Sequence, residues 1–153
     1  MTRINTGRVI LGGIVAGIIC FIGDGIVHGV LLNREWAAVV ATLGRSKAAQ
    51  PSPGDFAYFA IYDLLKGVLA VWIYAAALPR FGAGIGTALL AALTVWLLVI
   101  PVPTLGLLPM AVFSPRFALL WSIYGLLPIV AATLVGAWCY REAPSPLGFK
   151  PDQ

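Results

Sequence analysis

Four ionisable side chains lie inside long apolar runs of this sequence. Asp24 and His28 belong to one run, and Asp63 and Lys66 belong to the next. A charge at the centre of a bilayer costs about 2.5–3.5 kcal/mol even on lenient insertion scales, so such groups normally face other helices and have partners. Each pair is spaced three or four residues apart, which places both members on one helix face. The four residues are therefore predicted to form one intramembrane polar cluster.

The two pairs are also predicted to lie at the same depth. Asp24 stands about eight residues before the end of its run and Asp63 about seven after the start of the next, so antiparallel helices would bring them level. Two small-xxx-small patterns in the first run would allow close helix contact: Gly13 with Gly17, and Gly25 with Gly29. The sequence thus favours a tight contact between the first two helices.

The charge count of this cluster leaves its role open. Two carboxylates face one lysine and one histidine, so neutrality requires either a protonated His28 or one protonated carboxylic acid. That count indicates a proton or ligand site. A structural alternative pairs Asp63 with Lys66 and Asp24 with His28, which would lock the two helices together. In a third interpretation, Lys66 extends its ammonium to the membrane interface.

Metal and cofactor chemistry is not favoured by the sequence. Four potential ligands are predicted to lie near one another: Asp24, His28, Asp63 and Glu35. The adjacent Lys66 and the presence of a single histidine argue against a transition metal there, and one histidine cannot supply a two-histidine haem site. We also find no phosphate-binding loop, HExxH motif or Ser-His-Asp spacing. The sequence predicts no cofactor, no metal ligand and no catalytic residue.

Further polar side chains fall at a similar estimated depth and could line a pocket beside the cluster. They are Tyr62, Thr104, Ser122 and Tyr124. Tyrosines are also common anchors at membrane interfaces, which is an alternative explanation for two of them.

The elements that would position these groups follow from composition. The chain has 153 residues, of which 60% are hydrophobic and 10% charged, against about 25% charged in soluble domains. An all-α membrane protein is predicted, a single domain over residues 1–153 with four spans at about 9–32, 56–78, 85–108 and 116–140. A short helix at about 34–44 carries one apolar stripe with a tryptophan, typical of an interfacial amphipathic helix: Trp36, Val39, Val40 and Leu43. A polar tail follows at 141–153.

Capping residues and prolines set the predicted ends of the spans. Asp55 is a good N-cap for the second span, and residues 79–84 form a tight connection. The third span is predicted to be a regular helix only to about Val99, with an irregular or re-entrant segment at 101–113 because of its prolines. Ser114, followed by proline, caps the fourth span.

The basic residues favour a membrane topology rather than nucleic-acid binding. The net charge is +4, but Lys and Arg are scattered at the ends of the apolar runs, as expected for headgroup contact. The first run is longer than a signal-peptide core and is interpreted as a retained span. Arg3 and Arg8 flank it, which favours cytoplasmic N and C termini. Membrane lipids are the predicted partners, with a homo-oligomer or a larger membrane complex, and no nucleic acid.

The layout is similar to a known class of proteins. A first span precedes a Leu-Leu-x-x-x-Trp helix ending at Gly44, then a loop, three further spans and Gly136-Ala137-Trp138-Cys139-Tyr140-Arg141-Glu142. This order resembles small uncharacterised four-helix bacterial inner-membrane proteins over most of the chain. The resemblance implies an integral protein of a bacterial inner membrane and supplies no catalytic residue.

Three functional hypotheses follow. The leading one is a non-enzymatic bundle or accessory protein that packs against itself or a larger membrane assembly. The second is a small oligomeric proton-coupled transporter for a hydrophobic or cationic compound, with Asp24 or Asp63 exchanging protons. The third is a membrane enzyme acting on a lipid or quinone, with Asp24 and His28 as acid and base. A dry, packed cluster would favour the first, and a continuous cavity would favour the others.

Overall fold

A computed structural model of the chain describes residues 4–42 and 52–140. Within these ranges the protein is all-α and contains no strand. Four helical segments are long and apolar enough to cross a membrane: Thr6–Leu31, Pro53–Phe81, Ile85–Met110 and Pro115–Cys139. The predicted fold class of an all-α, four-span protein is therefore confirmed. The polar tail predicted at 141–153 lies outside the described residues, as do residues 43–44 of the predicted short helix.

Several of the spans are built from more than one helical element. In chain order, the elements are α1 (Thr6–Ile26), a π-helical turn (Val27–Leu31), α2 (Asn33–Thr42), α3 (Pro53–Phe81), α4 (Ile85–Val99), α5 (Pro101–Leu107), a 3₁₀ turn (Leu108–Met110) and α6 (Pro115–Cys139). The π-helical turn completes the first span, and α5 with the 3₁₀ turn completes the third.

The four spans pack as a bundle in the order α1, α3, α4, α6 around a ring. Helix α1 packs most extensively against α3 and then α6, while α4 contacts both α3 and α6. Small side chains dominate the buried core and allow close packing of the helices: Ala16, Ala70, Ala75, Ala88, Ala91, Ala92 and Ala132. The α1–α3 contact is the one that carries the predicted polar cluster.

Capping residues begin the first two spans earlier than predicted. Asn5 caps α1, which therefore begins at Thr6. Asp55 is not the N-cap of the second span, because Ser52 has that role. The Ser52 N–H donates to the Asp55 carboxylate at 2.7 Å, and the Ser52 hydroxyl oxygen accepts from the Asp55 N–H. This capping box, with Pro53 at the first helical position, brings residues 53–55 into the helix.

The connection between the second and third spans is shorter than predicted. Helix α3 continues through Pro79 to Phe81. Pro79 has no N–H to donate to the Ala75 carbonyl, so the helix continues through it with one backbone hydrogen bond fewer. The helix ends at Gly82, whose N–H donates to the Leu78 carbonyl and whose φ of +74° favours glycine.

The third span breaks where predicted but does not become irregular. Helix α4 ends at Val99, and Ile100 leaves helical geometry with φ −119° and ψ −72°. The prediction of irregular chain was wrong for residues 101–107, which form α5. Pro101 and Pro103 fall in its first turn, where backbone N–H groups have no partner within the helix. Ser114 caps the fourth span as predicted.

The short helix α2 turns its apolar stripe toward the bundle. Val39 is buried, and Trp36 and Val40 are half-buried. The stripe packs with Val27 and Phe117 in a small second core at one end of the molecule. Helix α2 is thereby held against the first turn of α6.

Candidate functional site

Lys66 of α3 forms ion pairs with two carboxylates at the α1–α3 contact. Its Nζ donates a hydrogen bond to Asp24 Oδ2 on α1, and lies 2.6 Å from Asp63 Oδ1, one turn earlier on α3. The side chains of Lys66 and Asp63 are each 4% exposed, and that of Asp24 is 13% exposed. We refer to Asp24, Asp63 and Lys66 as the ion triad. It cross-links the first two spans from inside the bundle.

Glycine residues bring the two helices close enough for this contact. A Cβ placed on Gly17 would lie 2.6 Å from the Leu64 Cα, and one on Gly13 would lie 2.6 Å from the Val68 Cα. A Cβ on Gly67 would overlap the backbone of both Gly13 and Gly17. Because real Cβ atoms do not approach backbone so closely, only glycine fits at these positions. Of the two small-xxx-small patterns, Gly13 with Gly17 makes this contact.

The second pattern makes no such contact. Gly25 and Gly29 are exposed, and a Cβ on either would meet nothing within 4 Å.

The triad is not electrically balanced. Two carboxylates share one ammonium, which leaves an excess of one negative charge when both acids are ionised. Asp24 Oδ1 is buried and has no hydrogen-bond partner among the residues that the structure describes. A buried acceptor without a donor costs about 1–3 kcal/mol, and more when it is charged. The Lys66 ammonium also lies over the Tyr62 ring, 4.8 Å from its centroid.

His28 has partners other than the acids. It lies in the π-helical turn that ends the first span, and its Nδ1 accepts a hydrogen bond from Trp36 Nε1 at 2.8 Å. The Asp24 carboxylate, which the structural alternative pairs with His28, is paired with Lys66 instead. An accepting Nδ1 carries no proton, so the imidazole is neutral in this arrangement.

The histidine is one member of an aromatic cluster that sequence reasoning missed. Its ring centroid lies 5.6 Å from those of Trp36 and Trp121, and Phe113 and Phe117 pack against both tryptophans. We refer to these five residues as the aromatic cluster. The sequence signal for it was slight: one tryptophan in α2, and Phe113, Phe117 and Trp121 just before and within the start of α6. The cluster joins the end of α1 to both of these helices.

Trp36→Phe is expected to loosen α2. The substitution keeps an aromatic ring but removes the hydrogen bond to His28, at a cost of about 1 kcal/mol. Amide hydrogen exchange over residues 33–42 should become faster in the variant. Trp72→Phe is the matched control, since Trp72 is 50% exposed on α3. Unchanged exchange in Trp36→Phe would show that the hydrogen bond does not hold α2.

The residues predicted to line a pocket do not converge on the triad. Tyr62 contacts it, as described. Thr104 is buried in α5, the Ser122 hydroxyl donates back to the Ala118 carbonyl, and Tyr124 packs against the second core beside the aromatic cluster. These positions are separate environments within the bundle.

A cavity formed by described residues lies away from the triad. It is an open groove at the turn between α3 and α4, lined by Phe81, Ala83, Gly84, Gly86, Thr87 and Leu90. Phe81 is fifteen residues beyond Lys66 on α3, about 22 Å along the helix. The groove is therefore remote from the triad. The described residues also include no group of three or more His, Cys, Asp or Glu side chains placed to bind a metal ion.

Comparisons with protein-family models, curated proteins and solved structures gave no match. The identity of the chain therefore rests on its own architecture, in which four apolar helices are long enough to span a bilayer. The chain is a multi-pass membrane protein.

Proposed function

We propose that this chain is a non-enzymatic membrane protein that packs against itself or within a larger membrane assembly, with the ion triad fastening its first two spans. The observation that carries the proposal is the placement of Lys66 between Asp24 and Asp63 at a contact where helix backbones touch. Lys66 and Asp63 are almost completely buried there, and the groove of the molecule lies about 22 Å away. A packed ion cluster of this kind supports a structural role.

The chemistry required of a lipid or quinone enzyme finds less support. That hypothesis needs Asp24 and His28 to act together as acid and base on a substrate. The Asp24 carboxylate is paired with Lys66, and the His28 Nδ1 accepts from Trp36. Neither group is among the residues that line the groove at the turn between α3 and α4.

The proposed location is the inner membrane of a bacterium, with both termini in the cytoplasm. The resemblance in layout supports the membrane, and Arg3 and Arg8 beside the first span support the orientation. Membrane lipids and either a second copy or other membrane subunits are the proposed partners, and nucleic acid is not. A reporter enzyme that functions only in the cytoplasm should be active when it is fused after Gln153. Activity of a periplasm-specific reporter at the same position would show that the C terminus lies in the periplasm, which contradicts the proposed orientation.

One observation favours a second candidate function. The excess negative charge of the triad is what a proton-coupled transporter would use, since a carboxylate that gains and loses a proton can exchange it for a cationic substrate. In that case Asp24 or Asp63 would be the exchanging group.

Two measurements on the purified full chain separate these functions. Native mass spectrometry of membrane patches extracted without detergent should detect the chain in assemblies larger than a monomer. Proteoliposomes given a pH gradient should lose it no faster than empty vesicles, for wild type, Asp24→Asn and Asp63→Asn alike. A monomer only would contradict the assembly role. Proton flux in wild type that is lost in either variant would establish the transporter instead.

A further inference from the structure

The excess negative charge of the ion triad has to be neutralised where it lies, between the first two spans. Asp63 is 4% exposed and Asp24 is 13% exposed, so water screens neither carboxylate well. Removing an unpaired carboxylate from water costs several kcal/mol. Lys66 neutralises one of the two acids, and the other needs a positive charge of its own.

The neighbouring side chains do not provide that charge. His28 accepts at Nδ1 from Trp36 and is neutral. Cys20 lies one turn before Asp24 on α1, and the Tyr62 ring centroid lies 4.8 Å from the Lys66 Nζ, but a thiol and a phenol are never cationic.

The other spans bring no suitable group either. Helix α4 contains no titratable side chain. Helix α6 carries Arg116 in its first turn, Tyr124 and Cys139, whereas the ion pairs that Asp24 and Asp63 form among the described residues are with Lys66. No described residue supplies the missing positive charge, which leaves a bound ligand as its source.

The geometry of the two acids identifies the ligand. One carboxyl oxygen of Asp24 and one of Asp63 are paired with the same Lys66 Nζ, so the two acids are close neighbours, and Asp24 Oδ1 has no donor among the described residues. A metal cation would need several oxygen ligands and room for them. A proton needs neither, and it converts the contact between two acids from repulsion to a hydrogen bond.

We propose that the folded protein binds one proton at neutral pH, shared between Asp24 and Asp63, and that this proton completes the charge balance of the ion triad. The site then contains one carboxylic acid, one carboxylate and one ammonium, with no net charge. The proton belongs to the triad whether or not the bundle joins a larger assembly.

Infrared spectroscopy of the full chain in lipid nanodiscs tests the site directly. At neutral pH, wild type should show the C=O stretch of a protonated carboxylic acid, with the shift expected on transfer to D₂O. Asp24→Asn and Asp63→Asn each leave one carboxylate with one ammonium, so the band should disappear in both. Glu35→Gln is the matched control, since it makes the same chemical change on α2, and it should keep the band.

Three outcomes would overturn the proposal. The first is a wild-type spectrum without the band at neutral pH. The second is a band that survives in both aspartate variants, which would place the proton elsewhere. The third is a band that disappears when sodium replaces choline at fixed pH, which would make the ligand a metal cation.

The pH dependence of stability provides a second measurement that needs no variant to fold. The folded chain would bind one more proton than the unfolded chain, whose aspartates are ionised above about pH 5, so stability must fall as pH rises. Between about pH 7 and 8, where unfolded His28 is mostly neutral, the unfolding equilibrium constant of wild type should rise by up to tenfold per pH unit. A flat wild-type curve would contradict the bound proton. Folded Asp24→Asn and Asp63→Asn should give flat curves.

Discussion

Lys66→Met is expected to destabilise the bundle by about 3–5 kcal/mol, the usual cost of removing one partner from a buried ion pair. Methionine has similar length, so the change removes the ammonium while largely keeping the volume. Asp24 and Asp63 would then face each other without a cation, in a contact where both are largely buried. Unfolding of purified protein in a mixed-micelle denaturant series would measure the loss.

Two further variants show whether charge or packing is responsible. Arg34→Met removes a positive charge from an exposed position on α2 and should leave stability within about 0.5 kcal/mol of wild type. The triple variant Asp24→Asn, Asp63→Asn, Lys66→Met removes every charge of the triad. This variant leaves no buried charge without a partner, so it should recover most of the loss. A triple variant as unstable as Lys66→Met would mean that packing, not charge, sets the cost.

Gly67→Ala is expected to produce the other large loss. The added Cβ would overlap the backbone of Gly13 and Gly17, so α1 and α3 would have to separate along the whole contact. Overpacking of this kind costs about 1–3 kcal/mol, and the value should lie at the top of that range because the obstructing atoms are backbone. The separation should also weaken the Lys66–Asp24 ion pair, whose partners lie on different helices.

Gly25→Ala and Gly29→Ala are the matched controls for this substitution. Both glycines lie in the first span and are exposed, with no atom within 4 Å of an added Cβ. Alanine should therefore cost nothing or add about 0.5–1 kcal/mol through its greater helix preference. Equal effects of Gly67→Ala and the two controls would show that the tight contact does not contribute to stability.

Much of the bundle could be predicted from the sequence because the bilayer restricts the solutions so strongly. Long apolar runs fix the number of spans, and the number of residues from their ends places Asp24 and Asp63 at the same depth. Pairing of Lys66 with Asp63 follows from their spacing of three on one helix. The cap at Ser114 and the helix break after Val99 depend on neighbouring residues in the sequence, so both could also be predicted.

The rest depends on how separate segments meet. The i, i+4 spacing of Asp24 and His28 is compatible with a pair. His28 instead accepts a hydrogen bond from Trp36, because α2 folds back and places the indole beside it. Hydropathy does not distinguish the π-helical turn that holds His28 from the α-helix that precedes it. The prolines of residues 101–107 predict irregular chain. In the first turn of a helix, however, a proline removes only a backbone N–H that has no partner within the helix.

The ion triad also bears on how the chain enters a bilayer. Helix α3 is the least hydrophobic of the four spans, and its interior Lys66 and Asp63 each oppose insertion of an isolated helix. Asp24 on the preceding span supplies the acid that the ammonium of Lys66 needs, and the glycine contact lets the two helices lie close together. The first two spans are thus suited to insertion as a single helical hairpin. In that hairpin, Asp24 of the first span lowers the free-energy cost of placing Lys66 of the second span in the bilayer.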